Sequence, residues 1–152
     1  MSKPLHADFV AAVTQFMEDQ IPFNRFLGVK VEHVARGECV LRIPWRDVLV
    51  GDFSRPAVHG GVVAMLIDTA GGAACFSMLD RPTDRTSTID MRVDYLRAAA
   101  GEDLLCRAIV VRMGNRVAVA RMEVFSGLLD GPDGPTATGN GVYNVYRRGE
   151  RA

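Results

Sequence analysis

The sequence predicts an α+β fold in which a curved antiparallel sheet wraps one long central helix, with an extra helix at the N-terminus. Residues 60–79 are apolar on nearly every side, as in a helix that is buried all round. Six strand-like stretches flank that helix, two before it and four after it, and strands linked by short turns form antiparallel sheets. A chain of 152 residues is expected to form one domain, here residues 1–152.

The segment before the central helix is predicted to contain one helix and two strands. Apolar residues recur at three- and four-residue spacing over residues 4–20, which indicates an amphipathic helix that Pro22 ends. Residues 29–34 and 38–43 are predicted strands joined by a tight turn at Arg36-Gly37. The connection over residues 45–58 is long for a compact domain, which is typical of a functional loop.

The four strands after the central helix are predicted from alternation and from turn residues. Residues 104–113 and 116–125 flank a hairpin turn at Gly114-Asn115, and a last strand spans residues 136–146. Residues 86–96 alternate, which predicts two sets of side chains on opposite sides of the sheet. The sets are Ile89, Met91, Val93 and Tyr95 on one side, and Thr88, Asp90, Arg92 and Asp94 on the other.

Composition and charge exclude several classes of protein. Lys plus Arg and Asp plus Glu number 18 each, so the chain lacks the excess of positive charge that nucleic-acid binding requires. Three widely spaced cysteines, at positions 39, 75 and 106, predict buried thiols and not a disulfide framework or a zinc site. The N-terminus lacks a signal-peptide pattern, which predicts a cytoplasmic protein. A membrane span over residues 61–79 is not expected, because Asp68 at its centre would cost about 2.5–3.5 kcal/mol.

Asp68 and the glycines at the start of the central helix are the candidate catalytic groups. A carboxylate in an apolar helix is costly unless it is paired or used, and it can serve as a base or nucleophile at a carbonyl. The alternative is a structural carboxylate that caps a loop or pairs with an arginine. Backbone N–H groups at a helix start, here Gly60 and Gly61, can stabilise an oxyanion. Alternatively, these glycines only permit a tight turn. Two further glycines, Gly71 and Gly72, suggest that the sheet backbone approaches the helix closely.

Five segments in a fixed order carry a family resemblance over residues 23–147. They are Leu27-Gly28, Arg55-Pro56-Ala57-Val58-His59-Gly60-Gly61, Leu66-Ile67-Asp68-Thr69-Ala70-Gly71-Gly72, residues 88–97 and Gly139-Asn140-Gly141-Val142-Tyr143. Together they resemble the hotdog-fold acyl-CoA thioesterases, most nearly the PaaI-like group of phenylacetate metabolism. The resemblance implies a hotdog fold and hydrolysis of acyl-CoA thioesters to a free acid and coenzyme A, without a metal or a redox cofactor.

The resemblance also implies a role for each catalytic candidate. Asp68 would be the general base or nucleophile, and the Gly60 N–H would donate to the oxyanion. His59 would hold the loop by hydrogen bonds, with direct proton transfer as the alternative, and the Thr88 hydroxyl would lie near the attacking water. In this family the active site forms between two subunits, so the chain is expected to be a homodimer, or a homotetramer of two dimers.

Substrate-binding candidates follow from the same resemblance. Asp52 stands where related sequences tend to carry an asparagine, and a carboxylate donates a hydrogen bond only when protonated. Gly61 would let the acyl group approach the backbone. The acyl pocket is expected to include Phe53 and Met65, with Leu66, Phe76 and Met78 as further candidates. Arginine side chains can bind the phosphates of coenzyme A in pairs of hydrogen bonds, and the candidates are Arg97, Arg112 and Arg116.

Two other functions stay open at this stage. A hotdog dehydratase or hydratase needs a histidine and an acid placed at two substrate carbons, and hydration of an enoyl-CoA would reveal it. A non-catalytic acyl-CoA-binding protein would bind acyl-CoA tightly without turnover. The acyl group itself is open among phenylacetyl, hydroxybenzoyl and medium-chain groups, and a thiol-release assay over a panel of acyl-CoAs would identify it.

Overall fold

A six-stranded antiparallel sheet curves around one helix in the computed structural model, which describes residues 5–81 and 83–147. A π-helical turn, Phe16–Gln20, extends the first helix, and a 3-10 turn, Asp47–Leu49, precedes the third strand. The helices are α1 (Ala7–Gln15), α2 (Pro22–Leu27) and α3 (Gly60–Phe76). The strands are β1 (Lys30–Ala35), β2 (Glu38–Ile43), β3 (Val50–Asp52), β4 (Ala57–Val58), β5 (Arg85–Tyr95), β6 (Leu104–Met113), β7 (Val117–Ser126) and β8 (Ala137–Tyr146).

The strand order leaves β5 at one edge of the main sheet. The order is β1-β2-β6-β7-β8-β5, and every neighbouring pair is antiparallel. Strand β6 lies between β2 and β7, so the consecutive strands β5 and β6 are not neighbours in the sheet. Residues 96–103 connect them. The connection over residues 45–58 contains a small two-stranded sheet, β3 with β4, that the sequence did not predict.

Helix α3 forms the centre of the core, as predicted. It contacts β2, β5, β6, β7 and β8, and the three cysteines are buried free thiols. Within the described ranges no helix has both the length and the hydropathy to cross a bilayer. The predicted reason for Gly71 and Gly72 is wrong. A Cβ on Gly71 would lie 2.1 Å from the Tyr143 hydroxyl, whereas one on Gly72 would have ordinary contacts. The sheet backbone approaches the helix at Gly139, where a Cβ would lie 2.5 Å from Ile67 Cγ2.

The N-terminal helical region differs from the single helix predicted over residues 4–20. Residue 4 lies outside the described residues, and the helical turn ends at Ile21. Pro22 then begins α2, since proline is favoured at the first position of a helix, and Gly28 ends it at φ +73°. The buried Asn24 amide donates to the Met17 carbonyl at 2.9 Å, which joins the two helical segments.

Candidate active site

The start of α3 presents one backbone N–H that the fold leaves available. His59 caps the helix, and its Nδ1 accepts a hydrogen bond from the Gly61 N–H at 2.8 Å. The Val62 N–H donates to the His59 carbonyl at 2.9 Å. The Gly60 N–H has no acceptor among the described residues, and it lies at the positive end of the helix dipole. This arrangement suits an incoming carbonyl oxygen that gains negative charge.

Backbone hydrogen bonds and close packing hold His59 in its capping position. The His59 N–H donates to the Leu49 carbonyl at 2.8 Å, and the Val58 N–H donates to the Ala99 carbonyl at 3.1 Å. A Cβ on Gly51 would lie 2.6 Å from His59 Cα, so only glycine fits there. Gly51 is therefore a shaping residue that the sequence analysis did not single out.

A cleft of about 420 Å³ opens beside the helix start. Its walls include His59, Gly60, Asp52, Tyr95 and Arg97. The Tyr95 hydroxyl donates to the Gly60 carbonyl at 2.9 Å. Sequence reasoning did not name Tyr95 as a site residue, although it stands in the 88–97 segment that carries the family resemblance. The cleft therefore brings the predicted histidine and glycine together with a tyrosine that was missed.

Asp68 lies on the same helix with one carboxylate oxygen occupied and the other open. The Thr88 hydroxyl donates to Asp68 Oδ1 at 2.7 Å, while Oδ2 has no donor among the described residues. The ion pairs of the described part of the chain do not include Asp68. Within the described chain the carboxylate is therefore not paired with an arginine, and it keeps an oxygen that can accept a proton.

A β-bulge puts Thr88 on the helix side of the sheet. The pairing of β5 with β8 shifts between Thr88 and Asp90, so Ile89 is the extra residue. The predicted strict alternation, with Thr88 opposite Met91 and Val93, is therefore wrong. Met91 and Val93 pack against the core and Thr88 bonds Asp68 on that same side, because the extra residue reverses the parity of the strand.

Tyr143 supports the segment of helix that carries Asp68. Its buried hydroxyl donates to the Asp68 main-chain carbonyl at 3.3 Å and lies over Gly71. Burial, and after it the nearby Asp68 charge, raises the pKa of Tyr143 well above its ordinary value. The phenol therefore stays protonated and remains a donor at every pH at which the protein would be assayed.

The Gly60 N–H and the Asp68 carboxylate do not meet within one chain. They are eight residues apart on α3, which corresponds to about 12 Å along the helix axis. Asp68 is also absent from the lining of the Gly60 cleft. One thioester carbonyl therefore cannot contact both groups of the same subunit.

Asp52 stabilises a turn at the rim of the cleft. Its Oδ1 accepts from the Ser54 N–H at 2.9 Å and from the Ser54 hydroxyl at 2.6 Å, and its Oδ2 accepts from Arg55 Nε at 3.1 Å. The Ser54 side-chain and backbone hydrogen bonds, with the Arg55 charge, lower the pKa of Asp52. Phe53 at the tip of this turn is fully exposed.

The other substrate-binding candidates are scattered. Arg97 donates to the Gly134 carbonyl and lies 3.8 Å from Asp133, whereas the exposed Arg116 is about 30 Å away at the other end of β8. These two arginines therefore cannot hold the same phosphate within one chain. Phe76 stacks on Phe9 of α1 at 6.3 Å, which places it in the core beneath the N-terminal helix.

The remaining candidates, Met65 and Leu66, lie on α3 between its start and Asp68. Met65 is partly buried and its sulfur accepts from the Thr69 hydroxyl at 3.8 Å, while Leu66 is fully buried in the core. Met65 and Phe53 stay predictions for the acyl pocket.

Comparisons with known proteins agree on one family. Residues 56–128 match the family model described as the thioesterase superfamily. A Halobacterium salinarum protein, VNG_1336C, is 43% identical over 145 residues, covering 93% of this chain and 95% of that protein. The medium/long-chain acyl-CoA thioesterase YigI of Escherichia coli is 35% identical over 118 residues, 70% of this chain and 76% of YigI. A solved Shewanella oneidensis structure related to the thioesterase superfamily has a TM-score of 0.81 at 30% identity, covering 95% of this chain and all of that one.

Proposed function

The chain belongs to the thioesterase superfamily and is a thioester hydrolase, and from this premise we propose that it hydrolyses acyl-CoA to a free acid and coenzyme A. The observation that supports this proposal is a pair of polar groups on α3. One is the Gly60 N–H without an acceptor within the described ranges, and the other is the Asp68 carboxylate with an open oxygen. Together they supply an oxyanion donor and a base or nucleophile, which thioester hydrolysis requires.

The proposed reaction uses these groups in sequence. The thioester carbonyl oxygen accepts from the Gly60 N–H, while Asp68 Oδ2 takes a proton from water as the water oxygen bonds to the carbonyl carbon. The tetrahedral intermediate collapses, the carbon–sulfur bond breaks, and the thiolate leaves and is protonated to coenzyme A. Direct attack by Asp68 would instead form an anhydride. A single turnover in H₂¹⁸O separates the two routes: attack by water releases an acid with one ¹⁸O, whereas an anhydride opened by water at the Asp68 carbonyl carbon releases an acid without ¹⁸O and leaves the label on Asp68.

We place each complete site between two subunits. Among the described strands β5 pairs only with β8, so its outer edge is open and Ile89 is exposed, and this edge can pair with a second copy of itself. Tyr95 marks the Gly60 end of β5 and Thr88 marks the Asp68 end. An antiparallel pair centred on Arg92 sets Met91 opposite Val93 of the second copy, on the core side of both strands, and sets Tyr95 opposite the bulge at Thr88 and Ile89. That register brings the Gly60 of one subunit toward the Asp68 of the other.

The acyl group is proposed to be a medium- or long-chain fatty acyl group. The relative from Escherichia coli is named for that substrate class. The fully exposed Phe53 and the partly buried Met65 provide apolar surface near the helix start, which suits an aliphatic chain. Aromatic acyl groups such as phenylacetyl are the competing class.

The test is thiol release from a panel of acyl-CoAs that spans acetyl to palmitoyl, phenylacetyl and hydroxybenzoyl. We expect the highest kcat/KM with chains of about eight or more carbons, since each buried methylene contributes about 0.8 kcal/mol. An enoyl-CoA in the same panel tests for hydratase activity. Tight binding without thiol release from any member would contradict the proposed hydrolysis for these substrates.

The shared site is tested by mixing two inactive variants. Asp68→Asn and Gly60→Pro subunits, co-expressed and purified as a mixed dimer through two tags, leave one intact pair of groups in each mixed dimer. If sites form across a two-fold interface, the purified mixed dimer is expected to have about half of the wild-type activity, and an unpurified random mixture about a quarter. No regain in the purified mixed dimer would contradict the shared site while leaving the hydrolase activity itself untouched.

A further inference from the structure

The Tyr95 side chain lies close to the start of α3 although it is not buried there. Its hydroxyl donates to the Gly60 carbonyl at 2.9 Å, and a Cβ on Gly60 would lie 3.3 Å from Tyr95 Cε1. Despite this closeness to the helix start, the side chain is 56% exposed. The ring therefore lies beside Gly60, joined to it by one hydrogen bond, and lines the cleft.

The hydrogen bond from Tyr95 acts on a peptide group that is held at both ends. The Gly60 carbonyl and the Gly61 N–H belong to the same peptide plane. Tyr95 donates to its oxygen, and His59 Nδ1 accepts from its N–H at 2.8 Å. Donation to a carbonyl polarises the amide and strengthens the hydrogen bond made by its N–H. The two side chains therefore restrain one peptide plane cooperatively.

This restraint matters because the flanking residue is glycine. Gly60 has a wide range of accessible dihedral angles, so its own backbone does not hold the direction of its N–H. Fixing the Gly60-Gly61 peptide plane on one side, and His59 through the Leu49 carbonyl on the other, leaves the Gly60 N–H little freedom. A preorganised donor stabilises a developing oxyanion without the cost of reorienting.

We propose that Tyr95 is a positioning residue that aims the Gly60 N–H at the oxyanion, acting through the Gly60-Gly61 peptide together with His59. The inference rests on the proposed function, in which that N–H is the oxyanion donor. Its action is indirect, since the Tyr95 hydroxyl bonds the backbone and not the reacting atoms.

The test is Tyr95→Phe, which removes the hydroxyl and keeps the ring beside Gly60. We expect kcat to fall about three- to tenfold, the value of one neutral hydrogen bond, with KM within about twofold of wild type. The matched control is Tyr146→Phe, the same change at an exposed tyrosine at the far end of β8. An unchanged kcat for Tyr95→Phe would overturn the proposal. If KM alone rises, Tyr95 only contacts bound substrate as part of the cleft wall.

Two further measurements separate positioning from a merely structural role. In Tyr95→Phe the Gly61 amide proton resonance is expected to move upfield, because its hydrogen bond to His59 weakens, while the melting temperature stays within about 2 °C of wild type. The double variant with His59→Ala is expected to lose less than the product of the two single effects, since both act on one peptide plane. Multiplicative losses would overturn the shared-plane argument.

The failure of this inference is distinguishable from failure of the proposed function. If Gly60→Pro and Asp68→Asn abolish thiol release while Tyr95→Phe is unaffected, only the role of Tyr95 is contradicted. If Gly60→Pro retains wild-type activity, the oxyanion role of its N–H is contradicted and the positioning role falls with it.

Discussion

The start and the middle of helix α3 contain polar groups of opposite character. At residues 59–61 the proposed group is a backbone N–H, which has no acceptor within the described chain and lies beside an open cleft. Around Asp68 the proposed group is a side-chain carboxylate, bonded to Thr88 and carried on a helix segment packed under Tyr143. The first region is exposed and shaped by loops, whereas in the second Asp68 is partly buried on a helix that packs against the sheet.

In the proposed reaction these two regions have different tasks. An oxyanion donor has to face an approaching substrate, which a helix N-terminus at the surface allows. In the proposed reaction the base is a partly buried carboxylate farther along the helix. Because about 12 Å of helix lies between them, a second subunit is the simplest way to unite the two groups.

The largest expected effect is at the middle of the helix, in Asp68→Asn. This variant keeps the shape of the side chain and the Thr88 contact but removes the proton acceptor, so kcat should fall about 10²- to 10⁴-fold. Steady-state thiol release measures it, and thermal melting confirms folding. Asp80→Asn, an exposed carboxylate that pairs with Arg36, is the control with wild-type kcat expected. Full activity in Asp68→Asn would refute the assigned chemistry.

The second largest loss in kcat is expected for Gly60→Pro, at the start of the helix. Proline is favoured at this first helical position and lacks the N–H, and His59 already has a backbone compatible with a following proline, φ −57° and ψ 132°. The expected loss in kcat is about 10²- to 10³-fold. Gly60→Ala is the matched control, since it adds the same Cβ 3.3 Å from Tyr95 but keeps the N–H. Equal losses in both variants would assign the effect to Tyr95 crowding and not to the donor.

A third variant, Gly71→Ala, tests the packing under Tyr143. Its Cβ would lie 2.1 Å from the Tyr143 hydroxyl, so overpacking is expected to lower the free energy of unfolding by about 1–3 kcal/mol. Gly72→Ala is the matched control, because its Cβ lies 3.7 Å from Tyr143 and alanine is the better helix former. It should melt at or above the wild-type temperature. Equal melting temperatures for the two variants would show that Tyr143 moves away without cost.

The smallest effect is expected for Asp52→Asn at the rim of the cleft. The wild-type carboxylate has a lowered pKa, so its contribution to the turn is complete above the unfolded value and is lost only as the pH falls below about 4. At pH 7 the variant should keep kcat/KM within about threefold, because asparagine can still accept from Ser54. Asp47→Asn, an exposed neighbour, is the control. A loss above tenfold would give Asp52 a direct role with substrate.

Much of the architecture was accessible from local patterns. The apolar run at residues 60–79 and the costly Asp68 identified the central helix and the first catalytic candidate. The predicted strands β2 and β6 have the bounds that the structure shows, because their hydrophobic patterns and turn residues are local. The first helix ends at Gln20, just before Pro22 as predicted, but the sequence analysis missed that Pro22 also begins α2.

The details of the site depended on contacts that are distant in sequence. Thr88 reaches Asp68 because a bulge inserts Ile89, and alternation alone assigned Thr88 to the wrong side of the strand. Gly71 is required by Tyr143, which lies more than seventy positions away. Tyr95 escaped notice because its hydrogen bond to Gly60 spans 35 positions and has no local signature.

The sequence by itself determined the central helix and the family and supplied the candidate catalytic groups, because hydrophobic periodicity and short motifs depend on neighbouring residues. Only the tertiary structure decided which donor stays free, which oxygen of Asp68 is open, and that these two groups stand apart in one subunit. Hydrogen-bond satisfaction and distance are properties of the folded chain, since each depends on which remote segments the fold brings into contact.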